Sequence, residues 1–411
     1  MPRSVPPLAL PRWVDPEAVF TSLWSDAPAA FWLDGGVDAD RGWSWMGAGR
    51  PEHATDPLEL VAATGGGAFH GGWVGWIPYD GDAAWLRVDA ALAYDHAARR
   101  VWAVGTDATA LADLAERALA AGPATPAPAA EPRGVASGRH APDEYARLIA
   151  ACREHIREGD AYQLCLTTRF TVPGRFFALD VFRRLRRTSS SHHGGFVRIG
   201  DTALVSASPE RFLEVHDGAV HTHPIKGTRP RAADPVVDAA LAEELRTDAK
   251  EQAENVMIVD LMRNDLSRVC APSSVGVDRL LEVETYPHVH QLVSEVSGRL
   301  LAGTTLGALR DAAFPAGSMT GAPKASAMTI LKRLEGAPRG IYSGTFGWIG
   351  DDGSADLAMV IRSIVVETDA AFVGAGGGIT WRSVAASEVA EVGIKARAPL
   401  AALGAEVPPG W

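Results

Sequence analysis

The chain has 411 residues, room for two to three domains of ordinary size or one large α/β unit, and its 47% hydrophobic and 22% charged composition excludes disordered, fibrous and disulfide-stapled classes. Lys plus Arg number 39 against 50 Asp plus Glu, so the net charge of −11 gives no electrostatic footprint for DNA, RNA or an anionic membrane. Three scattered cysteines, Cys152, Cys165 and Cys270, fit buried small residues in a reducing compartment rather than a disulfide framework or a zinc site.

The opening MPRSVPPLALP is interrupted by proline before a signal-type apolar run can form, and no stretch of about 18 uncharged apolar residues follows; a cytoplasmic location is expected. AFHGGWVGWIPY at 68–79 alternates small and aromatic residues as a twisted strand does. In GPATPAPAAEPR, 122–133, proline recurs at every second or third position, which predicts an exposed linker. The expected organisation is an N-terminal part over 1–121, a Pro/Ala-rich linker over 122–139 and a larger C-terminal part over 140–405. A helix is predicted from 142, where Asp143 and Glu144 favour the N-terminal dipole end and Tyr145, Leu148, Ile149, Cys152 and Ile156 share one face. Strands at 162–172, 203–208 and 212–215 predict a mostly antiparallel sheet. Residues 235–265 read as one long helix whose second half enters the core, leaving Asp260 in need of a partner. A helix over 322–334, opened by Pro323, leads to strands at 344–349, 358–366 and 371–373 and a closing helix over 385–403.

Several clusters set ionisable groups beside apolar or Gly-rich sequence. Glu210, in SPERF, sits at a strand junction, where a surface pair with Arg211 is the plainer reading. Lys226 precedes Gly227 in a tight loop; desolvated there, a lysine becomes a nucleophile as its pKa falls. Glu251 and Glu254 lie one helical turn apart, and Glu388 and Glu391, followed by Lys395, repeat that spacing on the last helix. Each pair alone fits a solvated face, whereas two pairs from separate helices suit one hard cation such as Mg²⁺. GAGGG at 374–378 lacks the spacing of a dinucleotide loop or a P-loop. It fits a turn whose N–H groups approach a carboxylate, with Arg362 of the apolar strand MVIRSIVV as a clamp.

Taken in order, YQLCLTTRF at 162–170, SASPERF at 206–212, PIKGT at 224–228, AENVMIVDLMRNDL at 253–266, HQLVS at 290–294, GSMTGAPK at 317–324, YSG at 342–344, the IRS around Arg362 and GGGIT at 376–380 resemble the chorismate-utilising enzymes. That family includes anthranilate synthase component I, aminodeoxychorismate synthase component I and the isochorismate and salicylate synthases. The resemblance runs along nearly all of the C-terminal two-thirds, and GGWVGWIPYD at 71–80 is also family-like. It implies an α+β fold in which two packed, mostly antiparallel sheets are surrounded by helices, with one site in a cleft, so that one large domain replaces the two or three suggested by length. It further implies that Glu254 and Glu391 hold Mg²⁺, with Glu251 and Glu388 close behind, and that Glu210 is the general acid for the C4 hydroxyl of chorismate. Gly227, Thr228, Tyr342, Arg362, Gly376, Gly377, Gly378 and Lys395 are the implied substrate contacts.

Within the family, members that add water carry a lysine base where this chain has Gln163, and anthranilate-forming members read PIAGT where this chain reads PIKGT. Lys226 resembles the lysine of the aminodeoxychorismate synthase branch, whose amine attacks C2 before ammonia adds at C4. Anthranilate-forming members also carry a histidine, associated with pyruvate loss, at the place of Gln291; His290 falls one residue earlier. The implied activity is amino transfer giving 4-amino-4-deoxychorismate, from which a separate lyase makes 4-aminobenzoate for folate. The alternatives are anthranilate synthesis, a 4-aminobenzoate-type synthase of an antibiotic pathway, or an idle chorismate-binding subunit. None of the three cysteines lies in the G-x-C-x-G elbow of a glutaminase, so ammonia is expected from a separate glutamine amidotransferase. Arg382-Ser-Val-Ala385 departs from the DSDP common in the family.

Overall fold

In the strand Ala29–Asp34, Ala29, Phe31 and Leu33 turn to one face and Ala30 and Trp32 to the other, and both faces are buried. Such a strand needs cover on two sides. A computed structural model, which describes residues 5–52, 56–189 and 191–411, shows what supplies it. The start of the proline-broken N-terminus, residues 1–4, lies outside the described residues.

Among the described residues, 12 strands form a large sheet and 10 a smaller one. In the large sheet Ala29–Asp34 pairs with His193–Ile199, which continues through Thr202–Ser208, Ser363–Val366 and Ala370–Ile379 to Gln163–Pro173. The smaller sheet runs from Ile225–Pro230 through Val289–Arg299, Ala219–Thr222, Arg211–His216, Ala355–Met359 and Thr345–Gly350 to Gly72–Ile77 and beyond. Pairing within both is antiparallel. Phe31, Leu33, Val197 and Leu204 of the large sheet pack with Val74, Trp76, Phe346 and Trp348 of the small one in a shared apolar layer. Helices Pro142–Arg157, Ala178–Thr188 and Ala385–Ala402 cover the outer face of the large sheet, and Ala249–Ser267 with Leu306–Ala313 covers that of the small one.

Both sheets mix strands from before and after the proline-rich stretch: Ala29–Asp34 pairs with His193–Ile199, and Gly72–Ile77 with Thr345–Gly350. Residues 122–133 form no regular element, and Arg183 and Arg184 donate to the carbonyls of Thr125 and Pro128. No helix among the described residues is long and apolar enough to cross a membrane.

Four local expectations change. The helix predicted over 235–265 is two, Pro235–Thr247 and Ala249–Ser267, because Asp248 is extended and its carboxylate accepts the N–H groups of Lys250 and Glu251. Asp260 is exposed beside Arg263; the acid that enters the apolar face is Asp265, bonded to Lys324 Nζ at 2.7 Å. The strand predicted over 358–366 stops at Met359 and resumes at Ser363, and in the gap, where the chain passes from the small sheet to the large one, Arg362 has φ +51°. The glycines at 374–378 form no turn but belong to the strand Ala370–Ile379.

Candidate active site

The strand Ile225–Pro230 pairs with Val289–Arg299, and the register slips between Lys226 and Thr228, so Gly227 is a bulge residue at φ +72°. A Cβ on Gly227 would lie 2.6 Å from Leu245 and 3.1 Å from Glu251, so glycine permits both the backbone angle and the approach to the helices. Lys226 stands among Glu254, Glu210, Cys165 and Glu251. Burial works to lower its pKa, but Glu254 and Glu210, with Glu251 behind them, outweigh burial and hold the ammonium above the ordinary lysine range. The sequence reading expects a fall; the carboxylates that the fold gathers reverse it.

Glu210 leaves the end of Thr202–Ser208 and is buried, with Ser318 Oγ donating to its Oε1 at 3.1 Å. It makes no surface pair with Arg211, whose guanidinium binds Asp356 and Glu214 instead. Burial pushes the Glu210 carboxyl up to about 7, with Lys226 pulling the other way. The only sequence signal for Ser318 is its place in the GSMTGAPK motif. Nothing in the sequence marks the nearby buried pair in which Arg339 donates to both oxygens of Glu335 and to the carbonyls of Met319 and Cys165.

The two glutamate pairs come together from separate helices. Lys250 Nζ lies 3.8 Å from Glu254 Oε1 and 3.7 Å from Glu388 Oε1, bridging Ala249–Ser267 and Ala385–Ala402. Burial raises the pKa of Glu251, Glu254 and Glu388. For Glu391 burial is outweighed by Lys395, whose Nζ lies 2.7 Å away, and the carboxyl is lowered. Glu254 Oε1 is buried with no hydrogen-bond partner among the described residues. An orphaned carboxylate oxygen, four acids and a cation already drawn between them fit the donor set of a hard divalent ion. Clusters tighter than this occur elsewhere, at His155 with Glu158 and Asp160 and at His221 with Asp278 and Glu295.

The glycines of Ala370–Ile379 make room for side chains. A Cβ on Gly374 would strike the Tyr342 ring at 2.1 Å, one on Gly377 would meet Glu388 Oε2 at 3.2 Å, and one on Gly378 would strike Gln163 Nε2 at 2.4 Å. Lys395 Nζ donates to the Gly376 carbonyl at 2.9 Å. Arg362 makes no hydrogen bond or ion pair to any carboxylate among the described residues, and burial lowers its pKa. Burial raises that of Tyr342. Thr228 is exposed, across the ladder from Gln291. Gln291 is buried with its Oε1 unpartnered among the described residues, while His290 is tied to Thr285 and to Asp238. In the departing segment Ser383 hydrogen-bonds Glu388, so the turn before the last helix still steadies that acid. A separate cavity of about 830 Å³, lined by Trp45, His193, Arg211 and Trp348 among others, is lined by none of Glu210, Lys226, Glu251, Glu254, Arg362, Glu388 and Glu391.

Two packed antiparallel sheets with this cleft define a class, and the comparisons give it a name. A model of the chorismate binding enzyme family matches residues 48–401, and the chain belongs to that family. It is 39% identical over 95% of its length to an aminodeoxychorismate synthase of Streptomyces pristinaespiralis, and 38% identical over 82% of its length to anthranilate synthase component 1 of Streptomyces coelicolor. It covers 64% of the former relative and 73% of the latter. The chain thus spans less than two-thirds of the S. pristinaespiralis protein. Among solved structures, anthranilate synthase component I from Streptococcus pneumoniae superposes with a TM-score of 0.72 at 28% identity, covering 90% of this chain and 92% of that one. The menaquinone-specific isochorismate synthase of Escherichia coli, 16% identical, shares the fold with a TM-score of 0.74, over 98% of this chain and 94% of its own.

Proposed function

We propose that the chain converts chorismate and ammonia to 4-amino-4-deoxychorismate. One observation carries this reading: a lysine amine, Lys226, and a carboxyl whose pKa is raised to about 7, Glu210, lie within electrostatic reach of each other beside the gathered glutamates. The exchange of hydroxyl for amine needs a nucleophile and a proton donor. Glu210 gives its proton to the C4 hydroxyl, which leaves as water. The free amine of Lys226 bonds to C2 as both ring double bonds shift and the C4–O bond breaks. Ammonia then adds at C4, the double bonds shift back, Lys226 departs from C2, and the proton lost by the new amine restores Glu210.

Glu254 and Glu391, with Glu251 and Glu388 behind them, would hold Mg²⁺, which when bound supplies positive charge to a substrate carboxylate and to the departing hydroxyl. With Glu254 and Glu251 charge-compensated, burial governs Lys226 and favours its free amine. Arg362, with no carboxylate bonded to it among the described residues, clamps a substrate carboxylate, and Gly227, Thr228, Tyr342, Lys395 and the backbone at Gly376, Gly377 and Gly378 complete the cradle. Gln291 in place of a histidine leaves the enolpyruvyl group on the ring. Ammonia comes from a glutamine amidotransferase partner, and a separate lyase releases 4-aminobenzoate for folate synthesis.

The competing reading is anthranilate synthesis, the activity in the names of the S. coelicolor relative and the S. pneumoniae structure. Incubating the chain with chorismate, Mg²⁺ and ammonium separates the two. The expected outcome is no anthranilate, and 4-aminobenzoate only once a lyase is added. Anthranilate formed without a lyase overturns the proposal.

A further inference from the structure

Lys250 has no local reason to point where it does. It lies in the first turn of Ala249–Ser267, where the helix dipole disfavours a cation, and the N–H groups of that turn are already served by Asp248. Its Nζ nevertheless lies between Glu254 of its own helix and Glu388 of another, at 3.8 and 3.7 Å. Both separations exceed a direct hydrogen bond, so the ammonium compensates both carboxylates without being bound tightly to either. Among the described residues Glu254 Oε1 remains without a hydrogen-bond partner, and the Lys250 side chain is 54% exposed on a flexible stem that can swing into water.

We propose that Lys250 is a tethered cation that holds the acidic quartet together before a divalent ion arrives and competes with that ion for Glu254 and Glu388. This rests on the metal site proposed above. A divalent ion brings two charges to about 2.1 Å from oxygen, against one charge at the separations of Lys250, so the ion displaces the ammonium. The displacement weakens metal binding and spares the four acids their mutual repulsion in its absence. Lys250 thereby sets the ion concentration at which the site fills.

The test uses Mn²⁺ as the probe, with calorimetric titration of the full chain and thermal melts with and without the ion. Lys250→Met, which keeps the stem and removes the charge, is expected to bind Mn²⁺ about tenfold tighter, while Lys250→Arg stays within about twofold of the parent. Without ion, Lys250→Met is expected to melt below the parent; at saturating Mn²⁺ the two converge. Unchanged or weaker Mn²⁺ binding by Lys250→Met overturns the role of Lys250. Failure of the parent chain to bind Mn²⁺ overturns the underlying metal site itself.

Discussion

Glu210 shows how a single residue acquires its chemistry from burial. In the sequence it is one acid beside an arginine, and the plainer reading makes it a surface pair. The fold gives Arg211 to Asp356 and Glu214 and leaves Glu210 buried, with Ser318 donating to its carboxyl and Lys226 nearby. Its pKa rises to about 7 from an ordinary 4.5, so the folded chain keeps a proton that the unfolded chain loses across that window. The sign follows: stability contributed by the neutral form is whole below about 4.5, and the cost of ionising Glu210 in place grows up to about 7 and is then constant. Glu210→Gln is therefore expected to be more stable than the parent at pH 8, by up to about 3 kcal/mol in denaturant unfolding, with the gap closing towards pH 4.5. The same variant is expected to lose about 10²- to 10⁴-fold in turnover, and the parent's rate is expected to fall as pH rises through about 7. A parent whose rate climbs through that range, or a variant destabilised at pH 8, contradicts the assignment.

At the level of elements, the site depends on places where regular structure is interrupted. The bulge at Gly227 sets Lys226 among Glu210, Glu251 and Glu254, and the φ +51° at Arg362 marks the crossing between sheets. Gly227→Ala combines a left-handed backbone with a Cβ 2.6 Å from Leu245. It is expected to cost more than about 1 kcal/mol in denaturant unfolding and to reduce kcat at least about tenfold, since a small displacement of a reacting group is costly. Wild-type kcat in this variant contradicts a positioning role for the bulge. These interruptions are also where sequence reading stopped short. Apolar periodicity locates the helix at 142, whereas the strands at 162 and 203, buried on both faces, are legible through residue type rather than period. The break at Asp248 is missed because a capping aspartate inside a charged run has no signature of its own. GAGGG reads as a turn because the side chains that need the space, Tyr342, Glu388 and Gln163, come from distant segments.

Across the whole molecule, the length prior of two or three domains gives way to two sheets that share strands from both ends of the chain. The net charge of −11 does not prevent an anionic substrate from being held, because Lys226, Lys395 and Arg362 are gathered locally around the acids. Residue types at the site were legible once the motifs were read together. The electrostatics were not: Lys226 is held protonated by Glu210, Glu251 and Glu254, which come from separate elements that only the fold gathers, and Lys250 bridges two helices by reaching Glu388, more than 100 positions away. The claim that Lys226 bonds to the substrate is tested most directly by intact mass spectrometry of the chain held with chorismate and Mg²⁺ in the absence of ammonia. The expected result is an added mass of chorismate less one water, located on the peptide carrying Lys226 and lost when ammonium is supplied. An unmodified chain that forms 4-amino-4-deoxychorismate at full rate once ammonium is added would contradict it.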